Sequence, residues 1–126
     1  MPIRAARSKS AKRLPTIMPR VKVWLEIDGD YVFGHGLAEI LTAVQAQGSL
    51  KEAAKRLDKS YRYVWGRVKE AEQALGKTLV DARVGGQGTN RSFLTEDAVR
   101  LLADFSALRS RMLAMVEQEF STRFRK

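Results

Sequence analysis

No cysteine occurs in the chain, which excludes disulfide staples, thiolate zinc sites and cysteine nucleophiles and fits a reducing interior. A single histidine, His35, is too little for a histidine metal site and leaves little for acid–base catalysis. No uncharged apolar run approaches the ~18 residues that a membrane span needs. No apolar segment near the N-terminus has the form of a secretory signal. Carboxylates are short as well: 14 Asp and Glu stand against 23 Lys and Arg, a net charge of +9 over 126 residues. That excess points to a polyanionic partner. With 44% apolar residues the chain can still bury one core, and it is too short for two.

The positive charge is segregated. Residues 1–22 hold Arg4, Arg7, Lys9, Lys12, Arg13, Arg20 and Lys22, no acid, and all three prolines. Without helical or strand periodicity, residues 1–20 read as a disordered basic arm, either tracking phosphates or serving as a solubilising tail. A second cluster spans 51–69: Lys51, Lys55, Arg56, Lys59, Arg62, Arg67 and Lys69 against Glu52 and Asp58. The rest of the chain is slightly acidic.

Val21, Val23, Leu25 and Ile27 alternate with polar or aromatic residues, Asp28-Gly29 marks a turn, and Tyr31-Val32-Phe33 follows, which together predict a hairpin. Gly34-His35-Gly36 breaks it and places His35 in a connecting turn. Leu37, Ile40, Leu41 and Val44 then form a helical stripe closed by Gly48. Ser49 and Glu52 make a capping box for a short helix through Leu57. Asp58-Lys59-Ser60 breaks the chain, and Ser60 caps a third helix from Tyr61 to about Leu75. Two helices joined by so tight a turn, with small Ala53-Ala54 at their crossing, form a helix-turn-helix.

On the third helix, Val64, Val68, Ala71 and Leu75 face the core, so Arg62, Gly66, Lys69 and Gln73 face outward with Tyr63 beside them and Arg67 on a shoulder. Arginine for guanine edges, lysine for phosphate and a bare glycine for close backbone approach suit a major-groove surface. Tyr61 and Trp65, at the edges of the apolar stripe, read mainly as packing residues. The candidate DNA-binding set is Ser49, Ser60, Tyr61, Arg62, Tyr63, Gly66, Arg67 and Lys69.

Gly76 ends the third helix. Strands at 79–84 and 91–94 bracket a glycine-rich tip and predict a wing made of Arg83, Gly85, Gly86, Gln87, Gly88, Thr89, Asn90 and Arg91. Thr95 caps a last helix over 95–120, with Glu96 and Asp97 in its first turn. Leu101, Phe105, Leu108, Met112 and Met115 recur at 4, 3, 4, 3 spacing, a heptad seam that reads as a dimer interface in preference to packing within one subunit. Residues 121–126 form a basic tail. Gly76-Lys77-Thr78 matches a relaxed phosphate-loop pattern, but a helix precedes it and a strand comes after, the reverse of the order such a loop needs. No paired carboxylates or nucleophile constellation remain, so an enzyme, a metal site and a cofactor are not expected.

Gly48-Ser49, Ala53-Ala54, Ser60-Tyr61-Arg62 with Trp65, Gly85-Gly86-Gln87-Gly88 and Leu94-Thr95, in that order, resemble the N-terminal DNA-binding domain of the molybdate-responsive ModE-type regulators, relatives of the LysR-type winged helices. The resemblance covers roughly residues 21–120. It implies a homodimer joined through the last helix, reading a palindromic operator with the helix at 61–75 and touching flanking DNA with the wing. Gln87 stands where the family's wing tends to carry lysine. The oxyanion-sensing domains of full-length members have no counterpart in these residues, so molybdate binding is not expected.

The expectation is therefore a mainly α fold with small β-hairpins: a winged helix-turn-helix over 21–94 carrying a long C-terminal dimerisation helix. Its function would be sequence-specific transcriptional regulation on double-stranded DNA, in a prokaryotic cytoplasm on the nucleoid, with no membrane association. The alternative is a nucleoid-type architectural protein with little sequence preference.

Overall fold

The computed structural model describes residues 16–84 and 90–125. Most of the basic arm and the wing-tip residues Gly85, Gly86, Gln87, Gly88 and Thr89 lie outside these. Among the described residues eight elements run in order: β1 (Trp24–Ile27), β2 (Asp30–Gly34), α1 (His35–Gln47), α2 (Leu50–Arg56), α3 (Tyr61–Leu75), β3 (Val80–Val84), β4 (Asn90–Leu94) and α4 (Glu96–Phe124). The strands form two separate antiparallel hairpins, β1–β2 and β3–β4. Four helices and two hairpins make a winged helix-turn-helix with a long terminal helix.

Local chemistry places the helix ends. Ser49 Oγ accepts the Glu52 amide at 3.0 Å, Ser60 Oγ the Tyr63 amide at 3.0 Å, and Thr95 Oγ1 the Ala98 amide at 3.1 Å. The reciprocal half of the capping box is replaced, because the Glu52 carboxylate faces Lys55 Nζ at 3.8 Å. At the end of α2 the Lys59 amide reaches the Ala54 carbonyl and the Asp58 amide the Lys55 carbonyl, with Asp58 at φ 58°. That is a Schellman closure in which aspartate takes the left-handed position usually held by glycine.

One core unites these pieces. Leu37, Ile40, Leu41 and Val44 of α1 meet Leu50, Ala53 and Ala54 of α2, Val64, Val68 and Ala71 of α3, and Leu79 and Val80 before and in β3. Phe33 of β2 and Phe105 of α4 join them edge to face, ring centres 5.1 Å apart. Together they lock the leading hairpin and the root of α4 onto α1.

Three local expectations are corrected. β1 starts at Trp24, later than the alternating pattern from Val21, because β2 offers partners only as far as Gly34. The register slips between Leu25 and Glu26, so Val32 is the extra residue of a bulge. Val32 and Phe33 consequently both face the core, whereas Ile27, beyond the slip, is exposed. His35 opens α1 and is not in a turn; its Nε2 lies 3.3 Å from Glu39 on the helix surface.

Candidate nucleic-acid interface

α3 buries Val64, Val68 and Ala71 and presents its other side to solvent. Ser60, Tyr61, Arg62 and Tyr63 at its start are all exposed, Gly66 partly so, and Ser49, the N-cap of α2, is half-buried. A Cβ built on Gly66 would meet nothing within 4 Å, so the helix backbone is bare there. Arg62 has no carboxylate partner among the described residues, whereas the two neighbouring cations of the helix are engaged.

Arg67 lies apart from this face. Its guanidinium stacks 5.5 Å from the Tyr31 ring of the leading hairpin and pairs with Glu70 at 3.2 Å. Tyr31 in turn covers Gly34, where a Cβ would collide with its hydroxyl. Arg67 therefore braces the hairpin against α3, its cation held on an aromatic face and a carboxylate.

Lys69 is tethered as well, its Nζ 3.1 Å from Glu72 Oε1. Glu72 was missed by sequence reasoning, because its partners come from another element. Its Oε2 accepts the amides of Leu79 at 2.7 Å and Val80 at 3.0 Å, tying the entry of β3 to the last turns of α3. Burial works to raise the Glu72 pKa; the Val80 and Leu79 amides and Lys69 outweigh it and leave the carboxyl below its ordinary value. The Gly76 and Lys77 amides both close on the Glu72 carbonyl, so the segment resembling a phosphate loop uses its amides within the fold.

Aromatic exposure overturns another expectation. Tyr61 is 51% exposed, Tyr63 48% and Trp65 45%, so none of them is a packing residue of the core. Lys59 Nζ lies 5.6 Å from the Tyr63 ring centre and Lys69 Nζ 5.7 Å from that of Trp65. The outward side of α3 is thus an alternation of rings and cations around a glycine.

In the wing, Arg83 and Arg91 are register partners, and both approach the exposed Phe93 ring, at 5.6 and 5.8 Å. Asp81 holds Arg83 at 2.9 Å. Asn90 opens β4.

The heptad seam divides along α4. Phe105 is only 2% exposed and Leu101 packs against the same core, so Phe105 is a residue of the protomer's interior and is withdrawn from the candidate interface. Leu108 and Met115 are exposed and Met112 half-buried. Among the described residues there is no cluster of metal-ligating side chains, and no helix is long and apolar enough to cross a membrane.

These features define a winged helix-turn-helix of the kind that transcriptional regulators use as a DNA-binding domain. Residues 36–98 match the profile of the bacterial regulatory helix-turn-helix proteins of the lysR family, and the chain belongs to that family. No curated protein matches the chain. Among solved structures, the DNA-binding domain of CbnR in complex with DNA gives a TM-score of 0.54 at 22% identity, covering 69% of this chain and 94% of that one. Full-length CbnR complexed with its target DNA gives 0.53 at 22% identity over 68% of this chain, which spans only 28% of that protein. A mutant of ZitR from Lactococcus lactis gives 0.52 at 21% identity, over 79% of this chain and 66% of that one. These likenesses are ones of fold.

Proposed function

We propose that this chain acts as a homodimer that reads a twofold-symmetric duplex site and thereby regulates transcription. The observation that carries this is the outward face of α3: Ser60, Tyr61, Arg62, Tyr63 and Gly66 stand in solvent at the start of the second helix of a helix-turn-helix, with Arg62 uncommitted to any carboxylate among the described residues. In such motifs the first turns of that helix meet base edges. Lys69 joins the face as a phosphate contact once it exchanges Glu72 for DNA. Arg83, Asn90, Arg91 and the tip between them are assigned to flanking backbone, and the cations of 1–20 to non-specific attraction. That CbnR is solved with DNA on the same fold supports the assignment. The ModE-like character belongs here too, resting on Ser60-Tyr61-Arg62 and Trp65.

The dimer is assigned to the apolar positions that continue along α4 past Phe105, with Leu108, Met112 and Met115 as contacts. A helix of 29 residues is about 43 Å long, enough to carry two heads one duplex turn apart. The setting is a bacterial cytoplasm, on the nucleoid, and no catalytic role is assigned.

Arg62→Ala tests the central claim. Its binding to a preferred duplex should weaken by about 1–3 kcal/mol, and its preference over bulk genomic DNA should flatten. Equal losses on preferred and random DNA would reduce Arg62 to a phosphate contact. The engagement of Arg67 and Lys69 inside the fold leaves few free base readers, which favours a second reading, an architectural DNA-binding protein. A wild-type specificity ratio near one would select it.

A further inference from the structure

Exposed aromatic rings are costly on a protein surface, since each could remove roughly 150–250 Å² from water if buried. α3 carries three within five residues, all about half-exposed. They lie on the side of the domain that the proposed function turns toward DNA, and a DNA-reading role for them rests on that assignment. Around the helix axis, Trp65 sits about 100° to one side of Gly66 and Tyr63 about 60° to the other. The bare backbone at Gly66 thus runs between two rings. Lys69 lies against Trp65 at 5.7 Å and Lys59 against Tyr63 at 5.6 Å. A cation resting against each ring fits a groove wall, where a phosphate can take it up, while the ring supplies apolar surface next to the base edges.

Base pairs display one apolar group in the major groove, the C5-methyl of thymine. Hydrogen-bonding edges are served by Arg62 and the hydroxyls of Ser60 and Tyr61; the apolar faces of the Trp65 and Tyr63 rings suit the methyl group instead. We infer that Trp65, seconded by Tyr63, is a specificity-determining residue that recognises thymine through its methyl group. The site preference of this protein then contains a methyl requirement on top of any hydrogen-bonded readout.

The test uses the full chain and a duplex isolated from random DNA by repeated selection on the wild-type protein. That duplex is synthesised in two forms, one with thymine and one with deoxyuridine throughout, and titrated by fluorescence anisotropy. Wild type should bind the deoxyuridine form more weakly by about fourfold for each methyl contacted, the transfer value of one buried methyl group. Trp65→Ala should bind both forms alike, and Trp65→Phe, which keeps a ring, should restore part of the difference. In a Trp24→Phe background, the emission of Trp65 should shift on adding the thymine duplex. Thermal unfolding of the free variants separates loss of fold from loss of contact, and Trp65→Phe covers the case in which the alanine variant does not fold. A wild type indifferent to the methyl groups overturns the inference, as does a Trp65→Ala variant, folded, that keeps the full methyl sensitivity. Unchanged binding of that variant to every duplex points the rings toward a protein partner and also overturns it. Selection that enriches no duplex sinks the sequence-specific function and this inference together; a preferred duplex read without regard to methyl groups sinks this inference alone.

Discussion

The carboxylate of Glu72 joins three groups from two elements, Lys69 in α3 and the amides of Leu79 and Val80 at the entry to the wing. Its side chain is one-tenth exposed, so removing it strands two buried amides. Glu72→Ala should therefore cost about 2–4 kcal/mol, within the range for unsatisfied buried groups. Glu72→Gln keeps an acceptor and loses only the charge, about 1–3 kcal/mol. The folded carboxyl titrates below its ordinary value of 4.5. Its stabilisation is thus complete above the unfolded pKa and disappears as pH falls through the folded one. Urea unfolding of wild type and Glu72→Gln should differ at neutral pH and converge under acid. Parallel pH curves would show that the charge is irrelevant.

Gly66 makes the opposite kind of prediction. Glycine inside a helix costs about 0.5–1 kcal/mol relative to alanine, and the space beside its Cα is empty. Gly66→Ala should raise the melting temperature of the free protein. On DNA, the new methyl would stand where the backbone approaches the bases, so affinity should fall while stability rises. Affinity that holds steady alongside the stabilisation would mean that the duplex does not come close to this turn.

At the scale of elements, α4 changes surroundings at Phe105. Ala98, Leu102 and Phe105 belong to the protomer's core, whereas Leu108, Leu113 and Met115 past them are exposed and Phe120 is buried beside Phe124 and Arg125 of its own chain end. Phe105→Ala should cost about 3–5 kcal/mol of protomer stability, the usual loss on emptying a core ring site. Met115→Glu, at a position 57% exposed, should leave unfolding unchanged and shift the sedimentation of the protein toward a single chain. A Met115→Glu protein that still sediments as wild type would move self-association elsewhere. The same helix shows what a sequence can and cannot disclose. Its cap at Thr95, like those at Ser49 and Ser60, was legible because an N-cap depends on residues three apart. The apolar stripe was legible too, but spacing says only that a face is apolar, never what covers it. Phe105 needed Phe33, 72 positions away, to be seen as interior. The Arg67–Tyr31 contact also depends on a neighbour distant in sequence, and the β2 bulge and the Glu72 hub on how one element pairs with the next. The exposure of Tyr61 and Trp65 was hidden for the opposite reason, since aromatics beside an apolar stripe look like part of it.

For the whole molecule, the charge pattern and the proposed twofold arrangement meet in one measurable quantity. Each phosphate neutralised releases counterions, and the slope of log affinity against log salt steepens by roughly 0.9 per contact on B-DNA. The proposed dimer would lay two copies of α3, the wing and the basic arm on one duplex, so its slope should be about twice that of one head. Met115→Glu supplies the single head without touching α3: its slope on a full symmetric site should fall to about half, and its affinity should become the same for half-sites and full sites. Wild type should still prefer the full site, because the second head binds at a high effective concentration once the first is seated. If the monomeric variant keeps the wild-type slope, all of the phosphate contacts come from one subunit, and the paired arrangement contributes nothing to recognition.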